Sequence, residues 1–180
     1  MSDHIRSTSK FLSLLLRHNP GKIGLTLDEN GWADVEELIT RVRGKGRNLD
    51  ITLLEKVVAE NDKKRFSFNE TKTKIRANQG HSVNVDVELV PTVPPDTLYH
   101  GTASRFIESI KSSGLVKGKR LHVHLSAEHS TAVTVGKRHG SPVVLEIDSR
   151  AMHGDGFIFY LSENGVWLTD SVPVKYLRIN

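Results

Sequence analysis

The sequence predicts an α+β protein made of two successive lobes, and three observations carry that prediction. Residues 5–77 hold three helix-length apolar stripes, followed by two short extended runs around a turn. Pro91, Pro94 and Pro95 then interrupt the chain with half of its six prolines. Beyond them, short strand-like runs mix with two helical ones. The expected division is residues 1–90 and 91–180.

The first helix is expected over Ile5–Arg17, where Ile5, Thr8, Leu12, Leu15 and Leu16 form one stripe and Asn19-Pro20-Gly21 ends it. Asp28-Glu29-Asn30-Gly31 reads as a turn between short extended pieces. Asp34 and Glu37 have capping-box spacing and start a second helix that stops before Gly44. Asp50 or Thr52 starts a third, carrying Leu53, Leu54, Val57 and Val58. Arg65-Phe66-Ser67-Phe68 and Lys74-Ile75-Arg76-Ala77 are extended. Three helices followed by a hairpin is the order of a winged helix. Val83, Val85, Val87 and Leu89 alternate ahead of the prolines, which suggests an extended linker or an edge strand. In the second half, strands are expected at Leu98–His100, His122–Leu125, Val143–Ile147, Phe157–Leu161, Val166–Leu168 and Tyr176–Ile179. Helices are expected at Arg105–Ser113 and Ala127–Val135. Asn164-Gly165 is a hairpin turn.

Composition narrows the class. With 37% hydrophobic and 26% charged residues the chain reads as an ordinary globular protein. No apolar run approaches the roughly 20 residues that span a bilayer. No secretory signal is expected at the start, so cytoplasmic residence without a membrane partner is the default, and a monomer is expected. The chain has no cysteine, which removes disulfides and thiolate metal sites. Residues 1–90 hold 15 Lys/Arg against 13 Asp/Glu, and residues 91–180 hold 10 against 8. Neither half is a basic domain, so an anion site must come from local clustering. The absence of Gly-x-Gly-x-x-Gly after a strand and of a phosphate loop argues against a Rossmann or P-loop site.

Several clusters carry chemical potential. Arg17-His18 closes a helix, where a C-terminal charge pair is explanation enough when taken alone. Lys63-Lys64-Arg65 is a basic turn, and an Arg fork can hold two phosphate oxygens. Arg76-Ala77-Asn78-Gln79-Gly80-His81-Ser82 fits either a polar turn or a binder of phosphate and sugar. Tyr99-His100-Gly101-Thr102 ends a strand just before a helix. Arg120-Leu121-His122-Val123-His124-Leu125-Ser126 puts two histidines on one strand face, with no third ligand spaced to complete a zinc site. Gly136-Lys137-Arg138-His139-Gly140 is a glycine-flanked basic loop, either plain surface or a phosphate clamp.

In this order and spacing, together with Asn164-Gly165-Val166-Trp167-Leu168-Thr169, these segments resemble the RNA 2′-phosphotransferase family of tRNA splicing over nearly the whole chain. The resemblance implies an N-terminal winged-helix lobe and a C-terminal lobe with an ADP-ribosyltransferase-like fold. It carries a catalytic set over to Arg17, His18, Arg65 and Arg138. It carries an NAD site over to His100, Gly101, Thr102, His124, Ser126 and Val166, with His122 as the alternative to His124. The position that holds a catalytic Glu in many ADP-ribosyltransferases maps to Val166, and Glu163 is read as a turn residue. Arg76, Gln79, Gly80, His81 and Ser82 are the implied RNA contacts.

The implied reaction consumes NAD and needs no metal. The RNA 2′-phosphate attacks the anomeric carbon of the nicotinamide ribose and nicotinamide leaves. The 2″-hydroxyl of the resulting RNA-2′-phospho-ADP-ribose then attacks phosphorus, giving 2′-OH RNA and ADP-ribose 1″,2″-cyclic phosphate. An ionised phosphate needs no general base in the first step, which suits the missing Glu. The second step needs proton transfer and charge stabilisation, which suit a histidine and arginines. The rival reading keeps the fold and ADP-ribosylates terminal phosphates of RNA or DNA.

Overall fold

The computed structural model describes residues 3–61 and 63–179. The chain divides into two compact units, residues 1–88 and 89–180, and each has its own apolar core.

The first unit opens with helix α1, Asp3–Arg17, which buries Ile5, Thr8, Leu12, Leu15 and Leu16 along the expected stripe. A short 3-10 turn at Pro20–Ile23 follows and closes on Gly24. Strand β1, Ala33–Asp34, leads directly into α2, Val35–Arg43. The Asp34 carboxylate accepts the Glu37 N–H at 2.8 Å, and Gly44 ends the helix. Asp50 caps α3, Ile51–Ala59, by accepting from Leu53 N–H at 2.7 Å. Strands β2, Phe66–Phe68, and β3, Lys74–Ala77, pair antiparallel. β1 joins the other side of β3, so the sheet order is β1-β3-β2. Leu12, Leu15, Leu16, Leu38, Leu54 and Ile75 are wholly buried at its centre.

The second unit is built around β4, Thr97–Ala103, which pairs antiparallel along its whole length with β7, Pro142–Asp148. Between them lie α4, Ile107–Ser113, β5, Leu115–Val116, β6, Val123–Leu125, and α5, His129–Gly136. After β7 come α6, Ser149–Gly154, β8, Phe159–Leu161, β9, Trp167–Thr169, β10, Ser171–Val172, and β11, Leu177–Ile179. The sheets are β11-β7-β4, β6-β9-β8 and the pair β10-β5. Tyr99 and Ser126 exchange backbone hydrogen bonds at 2.8 Å, which ties β4 to the end of β6. The result is an α+β chain of small antiparallel sheets.

The differences from expectation have local causes. The alternating segment forms no strand before β4 begins at Thr97. The one bridge in residues 83–96 is Pro91 to Tyr160, because Glu88 turns at φ +56° and the prolines supply no N–H. Helix α6 escaped the sequence pattern because six residues burying Ser149 and Met152 give no readable period. Tyr176 belongs to a 3-10 turn and not to the last strand.

Candidate functional site

Two groups of the singled-out residues are organised, one in each unit. In the first, α1 ends with Arg17, a cation where the helix dipole favours one. His18 N–H still bonds Leu14 O at 3.1 Å, before Pro20 stops the helix. The Arg17 carbonyl, orphaned by the helix end, accepts N–H groups of Ser82 at 2.9 Å and Val83 at 3.3 Å. His18 Nδ1 and Ser82 Oγ are 2.9 Å apart. The 78–83 loop is thus bound to the helix end at both backbone and side-chain level. Gly80 lies at φ +86°, and a Cβ there would come within 3.5 Å of the Arg17 guanidinium.

The same loop also holds the Arg65 turn. Asn78 N–H bonds Arg65 O at 2.9 Å, and Asn78 Nδ2 donates to Lys64 O at 2.7 Å. Arg65 Nη1 donates to Asn61 Oδ1 at 3.0 Å, and Asn61 Nδ2 reaches Ser9 on α1 at 3.2 Å. Arg17, His18 and Arg65 therefore share one hydrogen-bonded framework.

The expected RNA contacts divide here. Ser82 is exposed, and Gln79 and Gly80 are half-buried. Arg76 is already engaged, with its guanidinium 4.4 Å over the Trp32 ring and 3.1 Å from Glu88. His81, also among the expected RNA contacts, is 1% exposed. Both of its ring nitrogens lack a hydrogen-bond partner, and Gly31 lies against its Nε2. Burial, then the charges of Arg17, His18 and Arg76, push its pKa down to about 4.

In the second unit, alternate residues of β4 part to opposite faces. Gly101 is pressed against α5, where a Cβ would sit 1.8 Å from the Ala132 carbonyl oxygen. His100 and Thr102 take the other face, with Thr102 buried. His100 Nδ1 donates to the His124 carbonyl at 2.9 Å. That bond places the ring proton on Nδ1 and leaves Nε2 as an acceptor. Burial, reinforced by Arg120 and His139, lowers the His100 pKa and keeps the ring neutral. An acceptor nitrogen of this kind suits a sugar hydroxyl.

Arg120 Nη1 donates to His124 Nδ1 at 3.1 Å. His122, just before β6, packs edge-on to Tyr160 at 5.6 Å, so it and His124 have different surroundings. Ser126 is fixed by its backbone pairing with Tyr99. Val166 lies in the β8–β9 turn, where its N–H bonds Ser162 Oγ at 3.1 Å, and Glu163 is exposed in the same turn. Arg138 is exposed in the turn after α5. No group of three or more metal-ligating side chains occurs among the described residues.

Comparison with known proteins bears on this arrangement. A family model described as RNA 2′-phosphotransferase, Tpt1 / KptA family, matches residues 3–171. The chain belongs to this family. It is 60% identical over 179 residues to a probable RNA 2′-phosphotransferase of Flavobacterium johnsoniae, covering 99% of this chain and 98% of the relative. A protein of the same description from Pseudomonas aeruginosa is 58% identical over 172 residues, covering 95% and 94% of the two chains. Another from Acaryochloris marina is 52% identical over 176 residues, covering 98% and 97%.

Membership makes the chain a transferase of the RNA 2′-phosphotransferase kind. Three residues outside the expected site set gain a role from the structure. Asn61 and Asn78 hold Arg65 and its turn, and Arg120 binds the His124 ring. Arg120 had a readable signal, since it alternates with His122 and His124 on one strand parity. Asn61 had none, because nothing in the sequence marks a partner 52 residues away.

Proposed function

We propose that the protein removes an internal 2′-phosphate from RNA by transferring it to NAD, which is consumed. The observation that carries this reading is the framework that joins the Arg17 backbone, the His18 ring and the Arg65 guanidinium. Fixed guanidinium groups lower the cost of charge building on a phosphoryl group, because no reorganisation is needed during the reaction. Arg17 and Arg65 hold the phosphate, and His18, oriented by Ser82, moves a proton in the second step. Helices followed by a hairpin support a winged-helix reading of the first unit.

The residues of the second unit suit NAD bound as co-substrate in an ADP-ribosyltransferase-like fold. The neutral His100 ring offers Nε2 to a ribose hydroxyl, with Thr102 on the same strand face. Gly101 and Ser126 complete that stretch, and Val166 takes the place of a carboxylate where the nucleophile arrives already ionised. Arg138 remains assigned to the phosphate. Arg120 is the second candidate for that role, and its bond to His124 orients it in advance.

The test mixes the protein, NAD and a short RNA bearing one internal 2′-phosphate, read by mass spectrometry. Nicotinamide release, 2′-OH RNA and ADP-ribose 1″,2″-cyclic phosphate are expected, and all three should survive chelation. Arg17→Ala, His18→Ala and Arg65→Ala should each slow turnover about 10–150-fold, the value of one charged hydrogen bond. Arg120→Ala and Arg138→Ala in the same assay decide which arginine of the second unit acts. A stable adduct on a 5′-phosphorylated oligonucleotide, with no loss of 2′-phosphate, would overturn the reading in favour of terminal ADP-ribosylation.

A further inference from the structure

Away from Arg17 and His18, the first unit has a second feature that no assigned role uses. A cavity of about 200 Å³ opens between the N-terminal half of α1 and the α2–α3 turn. Its floor includes Leu12 and Leu49, both buried, and its rim carries His4, Ser7 and Asn48. Over one wall the Arg47 guanidinium lies 4.2 Å above the Phe11 ring.

The end of α2 and the turn after it, beside the cavity, place four cations within seven residues, Arg41, Arg43, Lys45 and Arg47, at alternate positions. Arg41 is engaged by Glu37, and Arg43 donates to the Leu49 carbonyl. Lys45 and Arg47 are exposed and form no salt bridge among the described residues.

The direction of α1 connects this cavity to the helix end. Positions 4, 11 and 18 are seven residues apart, so they return to one helix face within about 20° per step. His18 still follows the helical bonding pattern through Leu14. At about 1.5 Å per residue, Phe11 lies about 10 Å and His4 about 21 Å along the axis from His18.

We propose that this cavity is a second RNA subsite, taking an unpaired nucleobase and its flanking phosphate from the strand whose 2′-phosphate reacts. The proposal rests on the reading of Arg17 and His18 as the reacting end. Bases stack on aromatic rings and on guanidinium planes, and the Arg47–Phe11 pair offers such a platform. The polar rim can meet a base edge, and Lys45 with Arg47 supplies charge for a phosphate. A polyanionic strand fits this wall better than a peptide. The large hydrophobic side chains that stand exposed among the described residues, such as Val90, Val93 and Val116, do not line the cavity.

The test uses the full chain and RNAs with one internal 2′-phosphate: a trinucleotide, and strands of about ten nucleotides extended to the 5′ or the 3′ side. One extended strand should show a KM about tenfold below that of the trinucleotide. The double variant K45A/R47A should abolish that gain and leave trinucleotide kcat/KM within about twofold. It should also flatten the salt dependence of extended-strand binding by about one unit of slope per lost phosphate contact. Arg47→Lys, which keeps the charge and loses the planar stack, should retain the salt slope but recover only part of the affinity.

Extended strands no tighter than the trinucleotide, or a gain that survives the double variant, would overturn the proposal. Equal damage to short and long substrates would overturn it as well. Fluorescence anisotropy with an unphosphorylated strand of the same length reads the subsite without turnover. If turnover is absent on every RNA while this binding remains sensitive to Lys45 and Arg47, the proposed reaction fails and the subsite stands.

Discussion

Beneath Arg17 and beside His18 and Arg76, the His81 ring is closed off from solvent with neither nitrogen bonded. A charged ring there would face three other potential cations, which is why it stays neutral. Its place behind Gly80, on which Arg17 rests, makes it a packing support for the guanidinium. Titration of this residue should be visible in stability. Its folded pKa of about 4 is below the ordinary 6.5, so between these values the unfolded chain binds the proton and the folded one does not. The stabilisation is complete above about pH 6.5 and falls as the pH drops toward 4. At 1.36 kcal/mol per unit, about 2–3 kcal/mol should be lost between pH 7 and pH 4.5. Urea unfolding of the parent and of His81→Phe at both pH values checks this. The variant should show a pH dependence smaller by that amount, and identical dependences would refute the buried neutral histidine.

At the scale of elements, β4 and α5 approach so closely that no side chain fits between them. Gly101 meets the Ala132 carbonyl, and Gly136 of α5 meets the Thr102 carbonyl, where a Cβ would lie at 2.7 Å. These glycines set how His100 and Thr102 are held, because they fix the depth at which the strand sits under the helix. Gly101→Ala should cost about 3 kcal/mol or more, since backbone atoms on both sides must shift. Gly154, at the end of α6, has open space around its Cβ position and ordinary φ. Gly154→Ala should therefore change stability by no more than about 1 kcal/mol, toward stabilisation. Thermal unfolding of the two variants decides the point, and equal midpoints would contradict it. The sequence showed β4 only as Leu98–His100. The strand continues through Gly101 to Ala103 because β7 pairs with it along seven residues, a partner that lies some 40 positions downstream.

At the scale of the whole molecule, the assigned residues are divided between two units with separate cores. Arg17, His18 and Arg65 belong to residues 1–88, while His100, His124, Arg120 and Arg138 belong to residues 89–180. If the reaction needs both sets, neither unit suffices. Fragments 1–88 and 89–180, each expressed alone, should release no nicotinamide from NAD in the presence of 2′-phosphorylated RNA. Dephosphorylation by the second fragment alone would remove Arg17, His18 and Arg65 from the mechanism. Neither half is strongly basic, and Arg41, Arg43, Lys45 and Arg47 fall within seven residues.

The helices of the first unit were legible because their signals are local. Asp34 and Asp50 cap through N–H groups three residues ahead, and the α1 stripe repeats at the helical period. The order of the clusters along the chain was enough to indicate the family. The sequence did not reveal which residues face inward within those clusters. His81 and Ser82 are neighbours, yet one is sealed in the interior and the other is exposed beside His18. Arg120 and Arg138 are both exposed arginines, but only the first has a histidine ring within hydrogen-bond reach in the structure. Periodicity reports that a segment has an apolar face, but the partner of each polar group is set by the path of the whole chain. The His18–Ser82 bond spans 64 residues and the His100–His124 bond spans 24. Such pairs exist only once the elements have packed, because groups so far apart along the chain come within hydrogen-bond reach only through the path that the folded backbone takes.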